Sequence, residues 1–346
     1  MKSVIRIFQA AALCSAVSLT IASCGPGPGG YSELSGYAQG GVYSVKFKSG
    51  RGLDVKEIGK AVDSILTMVD TTLSGYNKGS QLSRYNAGIP VVPNAMFKEI
   101  FTISKHLYTE TGGALDVASG QLFDAWGFGF TRDSLPSAAA VDSLKAICGM
   151  DKIDSLDSSM SLLSSAARPK LNFNAIAQGY SCDKIADYLH SKGIRDMLVN
   201  IGEIYCEGLN PSGKPWTIGV DMPVDGNTEL GGKGLVGKWR GDGSGVGVVT
   251  SGNYRKFYVK DGRKYSHTID PRTGYPVTHT LLSATIVAPS ATLADAYATY
   301  CMVVGLDEAK RFIESLDELE GYLVYDDAGS MAEWASSGFN LASDAR

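Results

Sequence analysis

Histidine is scarce in this chain: His106, His190, His267 and His279 are the only four among 346 residues, and no His-Glu-x-x-His occurs. That excludes a zinc peptidase built on two histidines one helical turn apart. Of the six cysteines, the four beyond the first 24 residues, Cys148, Cys182, Cys206 and Cys301, follow no metal-ligand spacing. They are expected to be single thiols buried at apolar positions. There is no Lys/Arg cluster of useful length, and the formal net charge is −4. A nucleic-acid partner would need a basic face to meet phosphates, so that class is disfavoured. No internal repeat stands out. Glycines crowd Gly226 to Gly247, but no fixed helix start follows them as a P-loop requires, so they read as turns and bulges. What remains is a chain of ordinary globular composition, 44% hydrophobic and 20% charged, enough for one large domain or two small ones.

The first residues have a separate purpose. Lys2 and Arg6 precede an uncharged stretch from Ile7 to Ser23, and the small residues Ala22 and Ser23 mark a cleavage point, the pattern of a signal peptide over residues 1–23. Gln9, Ser15, Ser18 and Thr20 make the stretch too polar and too short for a span of about 20 apolar residues. Ile21-Ala22-Ser23-Cys24 resembles the bacterial lipobox, which implies that Cys24 becomes the lipidated first residue. Gly25-Pro26-Gly27-Pro28-Gly29-Gly30 cannot pack and reads as the start of a flexible tether over 24–36. The working domain is expected over 37–346.

Within that domain strand and helix signals mix. Val42 to Phe47 alternates as a half-buried strand, and Ile58, Val62, Ile65, Leu66 and Val69 recur at helical spacing. Asn94 is placed to cap a second helix that stops at Gly112-Gly113, and Pro136 opens a third that ends near Gly149. The Ser/Asp-rich run from Asp151 to Pro169 suggests a strand pair with an exposed loop. A helix over Ile176 to Lys192 stops at Gly193. Strands are expected at Met197–Ile201, Trp216–Val220, Gly247–Thr250, Lys256–Lys260 and Leu281–Ala288. The sum is an α+β domain with a mostly antiparallel sheet.

Four polar, glycine-bearing stretches carry groups suited to a pyrophosphate. Leu73-Ser74-Gly75-Tyr76-Asn77, with Ser80 and Asn86 beyond it, presents hydroxyls, amides and a ring that can flank a planar ligand. In Thr111-Gly112-Gly113-Ala114-Leu115-Asp116, followed by Trp126-Gly127-Phe128-Gly129, the glycines allow close backbone approach and Asp116 is an acceptor. A helix C-cap leading into an aromatic core strand explains this stretch equally. Asn172-Phe173-Asn174-Ala175-Ile176-Ala177-Gln178-Gly179-Tyr180 lies just before a helix N-terminus, which favours anions. Thr250-Ser251-Gly252-Asn253-Tyr254-Arg255 and Ser266-His267-Thr268-Ile269-Asp270-Pro271-Arg272-Thr273-Gly274 gather hydroxyls, a histidine and two arginines. Finally, Asp295 and Thr299 lie four apart and share a helix face. Their hard oxygen donors suit Mg²⁺ better than zinc, although an N-capping Asp and an ordinary helical Thr would give the same spacing.

Taken in order, these motifs resemble the ApbE family of FAD:protein FMN transferases, from about Gly36 to the C-terminal region. The resemblance implies a T-fold-like domain that binds FAD as substrate, with Mg²⁺ held by Asp295, Thr299 and the carbonyl of Ala175. By the same carry-over Gln39, Tyr76, Ala114, Leu115, Asp116, Asn172, Gln178 and Ile269 line the FAD site. Acceptors would be exported flavoproteins, such as subunits of Na⁺-pumping NADH:quinone oxidoreductases and Rnf-type complexes, met at the periplasmic face of the inner membrane. Gln39-Gly40-Gly41 stands where the family has Met-Gly-Thr, Asn172 where it has Asp, and Gln178 where it has Lys. Ile201-Gly202-Glu203-Ile204 has one glycine fewer than the family's loop. Attack of a Ser or Thr hydroxyl on the FMN-side phosphorus would release AMP, with Asp295 catalytic through the cation. His267 would orient or deprotonate the hydroxyl, or else serve as a structural hydrogen-bonder in its turn. Two other readings stay open at this point, a hydrolase that splits FAD to FMN and AMP and a lipoprotein that only binds FAD.

Overall fold

The computed structural model describes residues 30–129, 135–153, 168–223, 234–253, 257–260 and 263–342. The leader, Cys24, most of the expected strand pair after Asp151, part of the glycine-rich run and the Tyr254-Arg255 pair lie outside the described residues. The chain opens with the hairpin β1 (Tyr31–Ala38) and β2 (Gly41–Lys48), with Tyr31 opposite Lys48 and Ala38 opposite Gly41. Residues 31–36, expected in the tether, are therefore the first strand. The reason is packing: Tyr31 and Leu34 are buried, and Gly36 lies so close to the Tyr43 ring that a Cβ there would meet it at 2.7 Å.

Four helices follow: α1 (Val55–Leu73), α2 (Gln81–Asn86), α3 (Ala95–Glu110) and α4 (Gly120–Ala125). Asp54 caps α1, and its buried face of Ile58, Val62, Leu66, Val69 and Leu73 is the stripe that the spacing predicts. Asn94 caps α3, its Oδ1 accepting from the Phe97 N–H at 2.8 Å. The Trp126-Gly127 stretch follows α4 and so is not a strand. Helix α5 (Ala138–Ile147) starts two residues after Pro136 because Ser137 is the cap. A 3₁₀ turn over Met150–Lys152 comes next, and then α6 (Ala177–Ser191), which ends at Gly193 with a φ of +77°.

The strands are β3 (Met197–Asn200), β4 (Ile204–Glu207), β5 (Thr217–Asp221), β6 (Leu235–Arg240), β7 (Val246–Gly252), β8 (Phe257–Lys260), β9 (Arg263–Ser266), β10 (Ile269–Asp270), β11 (Tyr275–Pro276) and β12 (Leu281–Ala288). Helices α7 (Ala291–Val304) and α8 (Leu306–Glu314) and strands β13 (Glu320–Asp327), β14 (Ser330–Ala335) and β15 (Leu341–Ala342) complete the fold. The main sheet runs β1-β2-β3-β4-β7-β12-β13-β14 and is antiparallel at every junction. The expected α+β class is thus observed.

Both faces of the sheet are covered. On one, α1 and α6 pack over β2 and β3 through Val45, Phe47, Met197 and Val199, while α3 and α7 pack over β7, β12 and β13 through Val249, Ile286 and Leu323. On the other, the small sheet β15-β6-β5 lays Trp216, Ile218 and Trp239 over Val248, Val287, Tyr322 and Val324. Strands buried on both sides have near-continuous apolar runs, which explains Leu281 to Ala288. Cys148, Cys182, Cys206 and Cys301 are buried, free thiols, as expected. Among the described residues no helix is long and apolar enough to cross a membrane.

Helix α7 approaches the sheet unusually closely. A Cβ at Gly247 would lie 2.3 Å from the Ala291 Cα and 2.5 Å from its nitrogen. Neither atom can yield without moving the helix. Gly247→Ala should therefore destabilise the fold by about 1–3 kcal/mol, read as a lower urea midpoint; an unchanged midpoint would mean that α7 can lift off the sheet freely.

Candidate active site

The same Ala291 meets α6 from the other side. A Cβ on Gly179 would lie 2.1 Å from the Ala291 carbonyl oxygen and 2.9 Å from the Asp295 Cβ, so only glycine lets the two helices cross here. Two carboxylates tie the crossing. The N–H groups of Ala291 and Thr292 each donate to Asp183 on α6 at 2.8 Å, and the Thr292 hydroxyl donates to it as well. In return the Gly179 N–H donates to Asp295 Oδ2 on α7 at 3.1 Å. Asp183 thus pairs with the start of α7 and Gly179 with a residue one turn later, so the helices run antiparallel. Ala175 lies in the turn just before α6, and Thr299 lies one turn beyond Asp295 on α7.

Asp295 is only 5% exposed. Burial, with the negative Asp183 adding to it, pushes its carboxyl well above the ordinary carboxylate range against the opposing Gly179 N–H. No Lys, Arg or His forms an ion pair with it among the described residues. A buried carboxylate with one N–H and no cationic side chain is a position that a hard divalent cation would relieve. Among the described residues no three His, Cys, Asp or Glu side chains form a metal cage. The groups expected to hold a cation, the Asp295 carboxyl, the Thr299 hydroxyl and the Ala175 carbonyl, are all hard oxygen donors, the type that suits magnesium. Asp295 is not a helix cap; that position belongs to Ser290.

The other motifs converge in pairs. Asn86 clamps Leu171, donating to its carbonyl and accepting from its N–H, both at 2.8 Å. One residue on, the Asn172 N–H donates to the Val117 carbonyl at 2.7 Å, which joins the Ala114–Asp116 segment to the stretch before α6. Asn172 Oδ1 accepts from the Asn174 N–H at 3.0 Å. Gln178 donates to the Ile201 carbonyl at 2.9 Å, and Gln39, in the β1–β2 turn with a φ of +50°, donates to the Ser181 hydroxyl. Tyr76 is 70% exposed on a turn whose N–H groups, its own and that of Asn77, donate to Ser74 Oγ.

Ala114, Leu115 and Ile269 are buried side chains, so any ligand contact there is made by main chain. Ile269 belongs to a small cluster with Leu122, Trp126, Val141 and Cys148, and the strand that carries it, β10, packs against α7. His267 stands two residues before it, edge-on to Phe128 with ring centroids 6.4 Å apart. Asn253 accepts from the hydroxyls of Ser266 and Thr268, which pins the histidine loop to the end of β7. Sequence reasoning missed Asp183 and Ser181, which lie just past the motif ending at Tyr180. Nothing local marks Asp183, whose partners lie more than a hundred residues away.

Asp116 has a different environment. Burial pushes its carboxyl up to about 6; the Ala118 N–H, donating to Oδ1 at 2.8 Å, and Lys152 oppose this while Asp151 adds to it. In the unfolded chain the group ionises near 3.9. The folded state therefore holds a proton that the unfolded chain has lost, and the stability this contributes is present below about pH 4 and disappears as pH rises through 6. Relative to Asp116→Asn, the wild type should lose about 2–3 kcal/mol of unfolding free energy between pH 4 and 7. Parallel pH profiles from denaturant melts would contradict this.

Comparison with known proteins matches this arrangement over most of its length. The ApbE family matches residues 39–323. The FAD:protein FMN transferase of Escherichia coli K12 is 32% identical over 299 residues, 83% of each chain. That of Vibrio cholerae is 31% identical, covering 93% of this chain and 95% of its own. Among solved structures, the flavin transferase ApbE from Vibrio cholerae superposes with a TM-score of 0.75 at 30% identity, covering 89% of this chain and 98% of its own. The apo flavinyl transferase ApbE of Pseudomonas stutzeri does so with the same TM-score and identity, covering 89% and 95%. With residues 39–323 matched by the family and a relative 31% identical over most of both chains, this protein belongs to the ApbE family.

Proposed function

We propose that this protein is a flavin transferase that moves the FMN half of FAD onto a Ser or Thr hydroxyl of an exported protein, with Mg²⁺ at Ala175, Asp295 and Thr299. The observation that carries the reading is Asp295, a buried carboxyl group on α7 that accepts one N–H from α6 and has no cationic side chain paired with it among the described residues. The activity named for relatives at about 30% identity supports the choice of FAD. The acceptor oxygen forms a bond to the FMN-side phosphorus, the P–O bond to the AMP phosphate breaks, and AMP leaves with the bridging oxygen. Bound Mg²⁺ would supply neutralisation of the charge that builds on the phosphoryl oxygens.

The chain's own groups do the rest. The N-terminus of α6 offers N–H groups toward anionic oxygens. Tyr76 lies against the flavin, and the buried Ala114–Asp116 and Ile269 segments contribute main-chain groups. His267 accepts the proton of the incoming hydroxyl. A lipidated Cys24 behind its glycine-proline tether would keep the enzyme at the outer face of the inner membrane. There it would meet flavoproteins of the Na⁺-pumping NADH:quinone oxidoreductase or Rnf type. A membrane-anchored acceptor needs only two-dimensional search.

Purified protein, FAD, Mg²⁺ and an acceptor domain should give a fluorescent flavin band on a denaturing gel, with AMP in equal amount. Asp295→Ala should cut the rate by about 10²-fold or more, and His267→Gln by about 10²–10⁴-fold, both with the melting temperature kept. Full activity in the Asp295 variant would sink the metal assignment, and free FMN without a labelled band would make the enzyme a hydrolase. In cells, Cys24→Ser should move the protein from the membrane fraction to the soluble exported fraction; retention on the membrane would refute the anchor.

A further inference from the structure

The geometry points to Asp183 as the positioning residue of the cation site: by binding the first N–H groups of α7 it fixes the height and rotation at which that helix offers Asp295 and Thr299. This inference rests on the reading that Ala175, Asp295 and Thr299 hold Mg²⁺.

Three observations carry it. The first is the number of bonds. Asp183 accepts from the N–H of Ala291, the N–H of Thr292 and the Thr292 hydroxyl, so a single side chain of α6 satisfies two of the donors that a helix start leaves open. Ser290 caps the same end conventionally, accepting from the Leu293 N–H at 3.2 Å. A helix already capped from within does not need a second carboxylate to exist; it needs one to be placed against α6.

The second observation is the register. Asp183 lies one turn after Gly179, and Asp295 one turn after Ala291, so each helix gives an acidic side chain to the N–H groups of the other. The pair of ties resists both sliding and rolling. Sliding would carry Asp295 off the Gly179 N–H, and rolling would turn both Asp295 and Thr299 away from the direction in which α7 now presents them. The third is the lack of any slack: Gly179 and Gly247 hold Ala291 at backbone contact from both sides. With Asp183 removed, that contact alone decides the helix height, and close packing limits separation while leaving rotation less defined. The charge of Asp183 acts in the same direction, since a second negative group beside Asp295 raises the local attraction for a divalent cation.

The test uses the full exported chain and Mg²⁺ alone, titrated by calorimetry. Asp183→Asn should weaken Mg²⁺ binding by roughly 10–100-fold, the range for groups that orient metal ligands. Its transfer rate should recover at saturating Mg²⁺, so that the Mg²⁺ requirement moves and the maximal rate does not. Thr292→Val, which deletes one donor and leaves the carboxylate, should weaken binding severalfold and decides the matter if the Asp183 variant does not fold. Asn94→Ala is the control: it uncaps α3 without removing any hydrogen bond of Asp183 or Asp295, and should lower the melting temperature while leaving Mg²⁺ affinity as in the wild type. Wild-type Mg²⁺ affinity in a folded Asp183→Asn protein, or in Thr292→Val where that variant fails to fold, overturns the inference. The underlying reading fails separately, by Asp295→Ala binding Mg²⁺ as tightly as the wild type.

Discussion

The approach of Gly179 and Gly247 to Ala291 is the contact on which the rest of the molecule depends. Helix α7 is wedged between another helix and the central sheet, with backbone against backbone on two sides. Interfaces of this kind are closely packed and cannot adjust continuously. Ala294, Ala296 and Ala298 continue the same economy of volume along α7, all of them fully buried. A helix buried all round has no amphipathic stripe, which accounts for the alanine-rich text of Ala291 to Thr299. Because α7 also supports β10 and the core beneath β12, its placement fixes the sheet, the histidine loop and the candidate cation site together.

Two acidic side chains at such a crossing oppose stability. Taking a carboxylate out of water costs several kcal/mol unless donors or a cation replace the lost hydration. Asp183 meets that requirement with three donors at a helix N-terminus, where the dipole favours negative charge. Asp295 receives one N–H, and burial pushes its carboxyl well above the ordinary carboxylate range. Stability alone would favour an apolar residue at 295. A buried acid perturbed in this way is a candidate functional position.

Much of this was legible in the sequence because it is local. Helix caps such as Asn94, the stop at Gly193 and the apolar run of β12 depend on neighbours within a few residues, and all three stand where the spacing sets them. The site motifs were legible as a set. Asp183 was not, because its partners are more than a hundred residues away and an Asp inside a helix carries no local signature of what it faces. The same blindness hid β1, whose Tyr31 and Leu34 are separated by the polar Ser32 and Glu33, and the partner of Asn86, whose clamp on Leu171 spans 85 positions. Long-range ties are set by topology, and topology is what the local pattern leaves undetermined.

The three positions that depart from the family pattern, Gln39, Asn172 and Gln178, acquire a common explanation. Each is a neutral amide, and each uses a hydrogen bond on the protein itself: Gln39 on Ser181, Asn172 on the Asn174 N–H, Gln178 on the Ile201 carbonyl. Gln178 also lies where Gly202 leaves room, at 2.7 Å from an imagined Cβ, so the shortened loop after Asn200 and the missing lysine are one adjustment. These amides commit their hydrogen bonds to the protein, which ties the start of α6 to the β1–β2 turn through Ser181 and to the loop after β3 through Ile201.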